Sequence, residues 1–117
     1  MTATFSAAIA AVDVRIIEYG GISTVTPIDV TVGATGTATT NDSGPAITTH
    51  AHDLIFGANA TSVGTVAAGA AFTQRLLVAG DIAEDREVAT AGTYQATATQ
   101  SATGVWVMRL VAFEVAP

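Results

Sequence analysis

The clearest regularity along the chain is a two-residue alternation of apolar and polar or small positions, the period of a β-strand. In Val12-Asp-Val-Arg-Ile-Ile-Glu-Tyr19, the residues Val12, Val14, Ile16 and Glu18 share one face, and Asp13, Arg15, Ile17 and Tyr19 share the other. This predicts a half-buried strand over 12–19, closed by Gly20-Gly21. The alternation resumes after Pro27 in Ile28-Asp-Val-Thr-Val32. Residues 33–45 are rich in Gly, Ala, Thr, Asn and Asp and end in Gly44-Pro45, which predicts a polar loop carrying at most a weak threonine-rich edge strand. Residues 46–58 predict two strand segments or one bent strand, and 71–79 and 93–100 predict further strands. Between these, Gly80–Glu87 gathers Asp81, Glu84, Asp85, Arg86 and Glu87 and predicts an exposed acidic loop.

The final run is the strongest. Val105, Val107, Arg109, Val111, Phe113 and Val115 fall on one side, and Trp106, Met108, Leu110, Ala112 and Glu114 on the other. Both sides are largely apolar, as in a central strand covered on two faces. No long 3.6-residue stripe competes with this reading. Some seven short strands spaced about 8–12 residues apart predict an all-β, antiparallel β-sandwich or barrel.

Composition narrows the chemistry. At 117 residues the chain suits one domain, and without cysteine it has no disulfide, thiolate ligand or thiol nucleophile. Its positive side chains are four arginines against ten carboxylates, a net charge of −6. That balance disfavours nucleic acid and anionic membrane surfaces as partners. No apolar run approaches the roughly 20 residues of a membrane-spanning helix. The start, Met1-Thr-Ala-Thr-Phe-Ser, lacks the positive region of a signal peptide, so the chain as written is expected to remain cytoplasmic.

Several segments together resemble a β-sandwich module of secreted bacterial proteins. They are Glu18-Tyr-Gly-Gly-Ile22, Thr26-Pro-Ile-Asp29, His52-Asp-Leu-Ile-Phe-Gly57, Phe72-Thr-Gln-Arg75 and Gly104-Val-Trp-Val-Met108. The resemblance covers nearly the whole chain and corresponds to the C-terminal half of that longer module. It implies a jelly-roll-like sandwich truncated at its N-terminus, a secreted parent, and a surface, adhesive or carbohydrate-facing role without catalytic residues. A sandwich lacking strands exposes edges and an apolar face, so a homo-oligomer is expected, most simply a two-fold dimer.

The sharpest chemical signal is His50-Ala-His52-Asp53, which holds both histidines of the chain. If 50–52 is extended, both imidazoles project from one face about 7 Å apart along the backbone. They could then hold zinc or another divalent transition metal, with Asp53 or a carboxylate from Asp42, from residues 81–87 or from a neighbouring subunit as the third ligand. A metal-bound water would make such a site a small hydrolase acting on an ester or phosphoester. The competing reading is two exposed polar histidines at a β-edge. Calcium binding by residues 81–87 is disfavoured, because they lack the Asp-x-Asp-x-Asp-Gly spacing. Trp106, Tyr94 and Arg75 are candidates for contacting a carbohydrate or small ester-type ligand. Core packing is the expected role of Trp106, and pairing with a carboxylate such as Glu18 or Glu114 that of Arg75. The two function classes left open are a non-catalytic binding module and a metal-dependent hydrolase.

Overall fold

The computed structural model describes residues 2–10 and 12–116. Their strands are β1 (Ile28–Asp42), β2 (Ala46–Ile47), β3 (Leu54–Thr61), β4 (Thr65–Ala68), β5 (Thr73–Val78), β6 (Asp81–Glu87), β7 (Thr93–Tyr94) and β8 (Thr97–Phe113). The protein is all-β: every strand pair is antiparallel, and no helix occurs among the described residues. The main sheet runs β1-β8-β3-β6-β5, with β4 also paired to β8, while β2 and β7 form a separate two-stranded ribbon.

The expected central strand is present as β8, the centre of the sheet, but it ends at Phe113 and is covered on one face only: Val105 and Arg109 of the odd-numbered side are exposed and Val107, Val111 and Phe113 half-buried. It lies between β1 and β3, and its even-numbered side chains Trp106, Met108, Leu110 and Ala112 are all buried. They join Ile55 of β3 and Ile82 of β6 in one core, covered by Ala46 of β2, Val88, Ala96 and Ala98. The covering chain lies close to the sheet. A Cβ on Gly57 would sit 2.6 Å from the Ala96 Cβ, so glycine is what lets that chain cross the face of β3.

Three expectations need correction. Residues 33–42 are not a loop but the continuation of β1, so of the two expectations for this stretch the edge strand is the one the structure has, and it is long. Their glycines mislead because Gly36 is a packing position: a Cβ there would lie 2.6 Å from the Trp106 ring. Residues 81–87 are not an exposed loop but β6, an inner strand between β3 and β5. Most of its charges have tertiary partners, though Glu84 Oε1 and Arg86 Nε stay without a hydrogen bond among the described residues. Thr61 N–H donates to Asp81 Oδ1 at 2.8 Å, Gly69 N–H donates to Glu84 Oε2 at 2.8 Å, and Arg86 lies over the rings of Phe72 and Tyr94. Finally, residues 12–19 alternate as expected but belong to no ladder. Arg15, Ile17 and Tyr19 lie half-buried toward the sheet, and the Tyr19 ring meets Phe56 edge-on at 6.2 Å. Val12, Val14 and Ile16 face solvent.

Glu84 is the most costly of these charges. It is fully buried, Oε1 has no hydrogen-bond partner among the described residues, and burial pushes its carboxyl up to about 7 from 4.5, against the pull of the Gly69 and Thr97 backbone. A raised folded pKa means that the native state holds the proton more tightly than the unfolded chain. This contribution is therefore complete below about pH 4.5 and is lost as pH rises through 7. The thermal midpoint should accordingly fall between pH 5 and pH 8. Glu84→Gln should flatten that fall, recovering roughly 2–3 kcal/mol at pH 8 and little at pH 5, as measured by thermal denaturation across pH.

Candidate functional site

Strand register assembles the site. Ile28 of β1 and Leu54 of β3 both pair with Phe113 of β8, from opposite sides. Two strands far apart in sequence therefore begin at the same level of the sheet, each with an aspartate at its entrance. The ladder of β1 slips between Ile28 and Val30, leaving Asp29 as the extra residue of a bulge. Such a bulge frees a side chain from strict alternation and re-aims it. Asp53 precedes β3 and is fully buried, and its carbonyl accepts from Val88 N–H at 3.0 Å.

The connection between β2 and β3 supplies the third group. Thr49 donates to Asp29 twice, N–H to Oδ2 and hydroxyl to Oδ1, each at 2.6 Å. This pins the turn so that His50 Nδ1 lies 3.4 Å from Asp29 Oδ1. One donor atom each from Asp29, His50 and Asp53 falls within 4.8 Å of the others. The extended geometry expected for 50–52 does not occur. The chain bends there, and His52 takes a left-handed conformation at φ 65°.

The two carboxyls differ. Burial would raise Asp29, but the two Thr49 donors outweigh it and bring the group down to about 2. Asp53 is pushed up to about 6, first by burial and then by the Asp29 carboxyl facing it. Both oxygens of Asp53 are buried without a hydrogen-bond partner of ordinary geometry among the described residues. Two carboxyls this close disfavour double ionisation unless a cation lies between them.

His50 and His52 open onto a cleft of about 920 Å³, whose lining also includes Tyr19, Arg75, Asp85 and Glu87. Asp85 Oδ2 accepts from the Tyr19 hydroxyl at 2.6 Å and from Arg75 Nε at 2.8 Å. These two donors hold the Asp85 carboxyl below its ordinary value although burial opposes them, and burial together with Asp85 raises the Tyr19 phenol. The triplet ties the unladdered segment 12–19 to β5 and β6.

The structure therefore brings His50 and Asp53 together, keeps His52 in the cleft but outside the cluster, and adds Asp29, which sequence reasoning missed. The signal for Asp29 was the shared register at Phe113, and no local pattern carries that. Of the other carboxylates considered as a third ligand, Asp42 binds the Gly44 N–H and the Gln95 amide, Glu87 lines the cleft, and Asp81, Glu84 and Asp85 are engaged along β6. Arg75 pairs with Asp85 instead of Glu18 or Glu114. Trp106 is only 8% exposed and offers no open ring face, while Tyr94 is half-buried and donates its hydroxyl to Thr90 O at 2.7 Å.

Tyr19→Phe removes one donor to Asp85 and should loosen the 12–19 segment. With no lysine in the chain, Arg15 is the one trypsin site within it. Cleavage after Arg15, followed by mass spectrometry under native conditions, should accelerate about tenfold in the variant, the effect of losing a hydrogen bond to a charged group worth about 1.5 kcal/mol.

Compared with known proteins, the chain matches no family model, no curated sequence and no solved structure, so function must be read from its own residues.

Proposed function

We propose that this chain is a non-catalytic binding module, a jelly-roll-like antiparallel β-sandwich of the secreted bacterial surface type, completed by self-association into a dimer. The observation that carries this reading is the segment leading into the sheet. Val12, Val14 and Ile16 are 53%, 51% and 57% exposed on an extended stretch outside every ladder, and Phe5 and Ile9 are nearly as open. An alternating apolar face on unpaired extended backbone is suited to strand completion by a second copy. The resemblance of the chain's segments to a secreted bacterial surface module supports a surface or carbohydrate partner, and the cleft beside Arg75, of mixed polar and apolar lining, is the place on this chain that would receive one. Light scattering at micromolar concentration should give twice the chain mass, and Val14→Asp with Ile16→Asp should shift it to the monomer. A monomeric wild type would end the self-association reading.

A second reading is favoured by a different observation, the convergence of Asp29 and Asp53 on His50, which lines that cleft. In it the protein is a small metal-dependent hydrolase of esters or phosphoesters, with Arg75 placed to orient an anionic substrate. Turnover of activated esters or phosphoesters should then require added zinc and be abolished in His50→Ala. Turnover that survives both chelation and that substitution would reject it.

A further inference from the structure

We propose that Asp29, His50 and Asp53 bind one divalent transition-metal ion, zinc foremost, and that His52 is not a ligand. The inference rests on the cluster that also motivates the hydrolase reading, but it concerns binding alone and stands if no substrate is ever turned over.

The three side chains come from separate places: the bulge at the start of β1, the turn after Thr49, and the entrance to β3. Nothing local obliges them to meet. A zinc ion with bonds of about 2.1 Å sets its tetrahedral ligands about 3.4 Å apart. His50 Nδ1 and Asp29 Oδ1 already stand at 3.4 Å, and the full set lies within 4.8 Å, a gap that small side-chain rotations close.

The second observation is Asp53 itself. Its side chain is wholly buried, neither oxygen has a partner outside the cluster among the described residues, and it faces Asp29 and His50. A buried carboxylate set against a second carboxylate carries both a desolvation cost and repulsion. A divalent cation at this point would neutralise both groups and supply the missing coordination. Asp29 is prepared for it in the manner of a ligating carboxylate, its two oxygens oriented by the Thr49 N–H and hydroxyl.

The donor set selects the ion. One imidazole with two carboxylates suits zinc or manganese better than magnesium or calcium, which prefer oxygen alone. His50 is 47% exposed toward the cleft, so a fourth coordination position would open on that side. His52 also opens onto the cleft, yet its left-handed backbone carries it out of the donor cluster.

The test is calorimetric titration of the full chain, stripped with chelator, with zinc chloride near pH 7.5. One zinc per chain is expected. Asp29→Asn and His50→Ala should each weaken binding roughly tenfold or more, and His52→Ala should change it by less than about twofold. Asp53→Asn is isosteric and removes a buried acid, so its metal-free thermal midpoint should not fall while the zinc-dependent rise disappears. The assignment is overturned if no saturable one-to-one binding occurs. It is equally overturned if His52→Ala weakens binding as much as Asp29→Asn, or if calcium or magnesium competes as well as zinc.

Discussion

Every structural feature that bears on function depends on the pairing of β8 with two strands at once. β1 and β3 are antiparallel to β8 on either side and therefore run in the same direction, and both reach Phe113 at their first residue. A one-residue slip in either ladder would turn every side chain on that strand to the opposite face. Register is held on the core side by Val30, Val32 and Ala34 of β1 and Ile55 of β3, which pack in the core and would turn out of it on a slip. That register sets the starts of β1 and β3 level on either side of β8, and the bulge then re-aims Asp29 to within reach of Asp53.

The same sheet tolerates charge in its interior by meeting each group separately. On β6, Glu84 and Arg86 share the core side of the strand with Ile82, while Asp85 on the other side holds Arg75 and Tyr19. Asp85 is well served by two donors. Glu84 has one oxygen satisfied and one orphaned, and Asp53 meets no hydrogen-bond partner outside the Asp29–His50 cluster among the described residues. Buried polar groups are ordinarily paired, and the ones that are not tend to mark places where a structure gives up stability for another purpose. Asp53 stands beside a cleft and two further donors, which gives that purpose a chemical form. Glu84 stands in the core, where burial raises its carboxyl pKa.

The segment before β1 adds a different property. Tyr19 anchors it through Asp85 and Phe56, and Arg15 donates to the carbonyl of Val78 at 2.6 Å. Its inner face thus lies against the sheet through a few polar contacts, while its outer apolar face and its backbone remain without strand partners among the described residues. The molecule carries two distinct open surfaces, the apolar outer face of the segment before β1 and the cleft of mixed lining beside His50 and Arg75. They suit different kinds of partner, and neither depends on the other.

Local pattern was enough to establish an all-β chain and the central place of 105–113, though not which of its faces is buried, and it left 46–58 as two strands or one bent strand, of which the structure has two. Alternation and β-branched composition act over a few residues and can be read without knowing the neighbours. Local pattern also drew attention to His50 and Asp53, because histidines are rare in this chain. It failed where a residue's meaning comes from across the sheet. Gly36 looked like part of a loop until the Trp106 ring was seen to lie on it, and the charges of β6 looked like a solvated turn until Gly69, Arg75, Tyr19 and Thr61 supplied partners. The alternation of 12–19 was real, but a strand needs a neighbour to bond with, and alternation does not provide one. Asp29 joins the site through a bulge and a shared register at Phe113, and His52 leaves it through a backbone turn. The amino-acid sequence by itself determined the all-β class, the extended run 105–113 and the candidacy of His50 and Asp53. Only the tertiary structure decided which side chains meet, because hydrogen-bond register between strands distant in the chain is a property of their pairing and of neither strand alone.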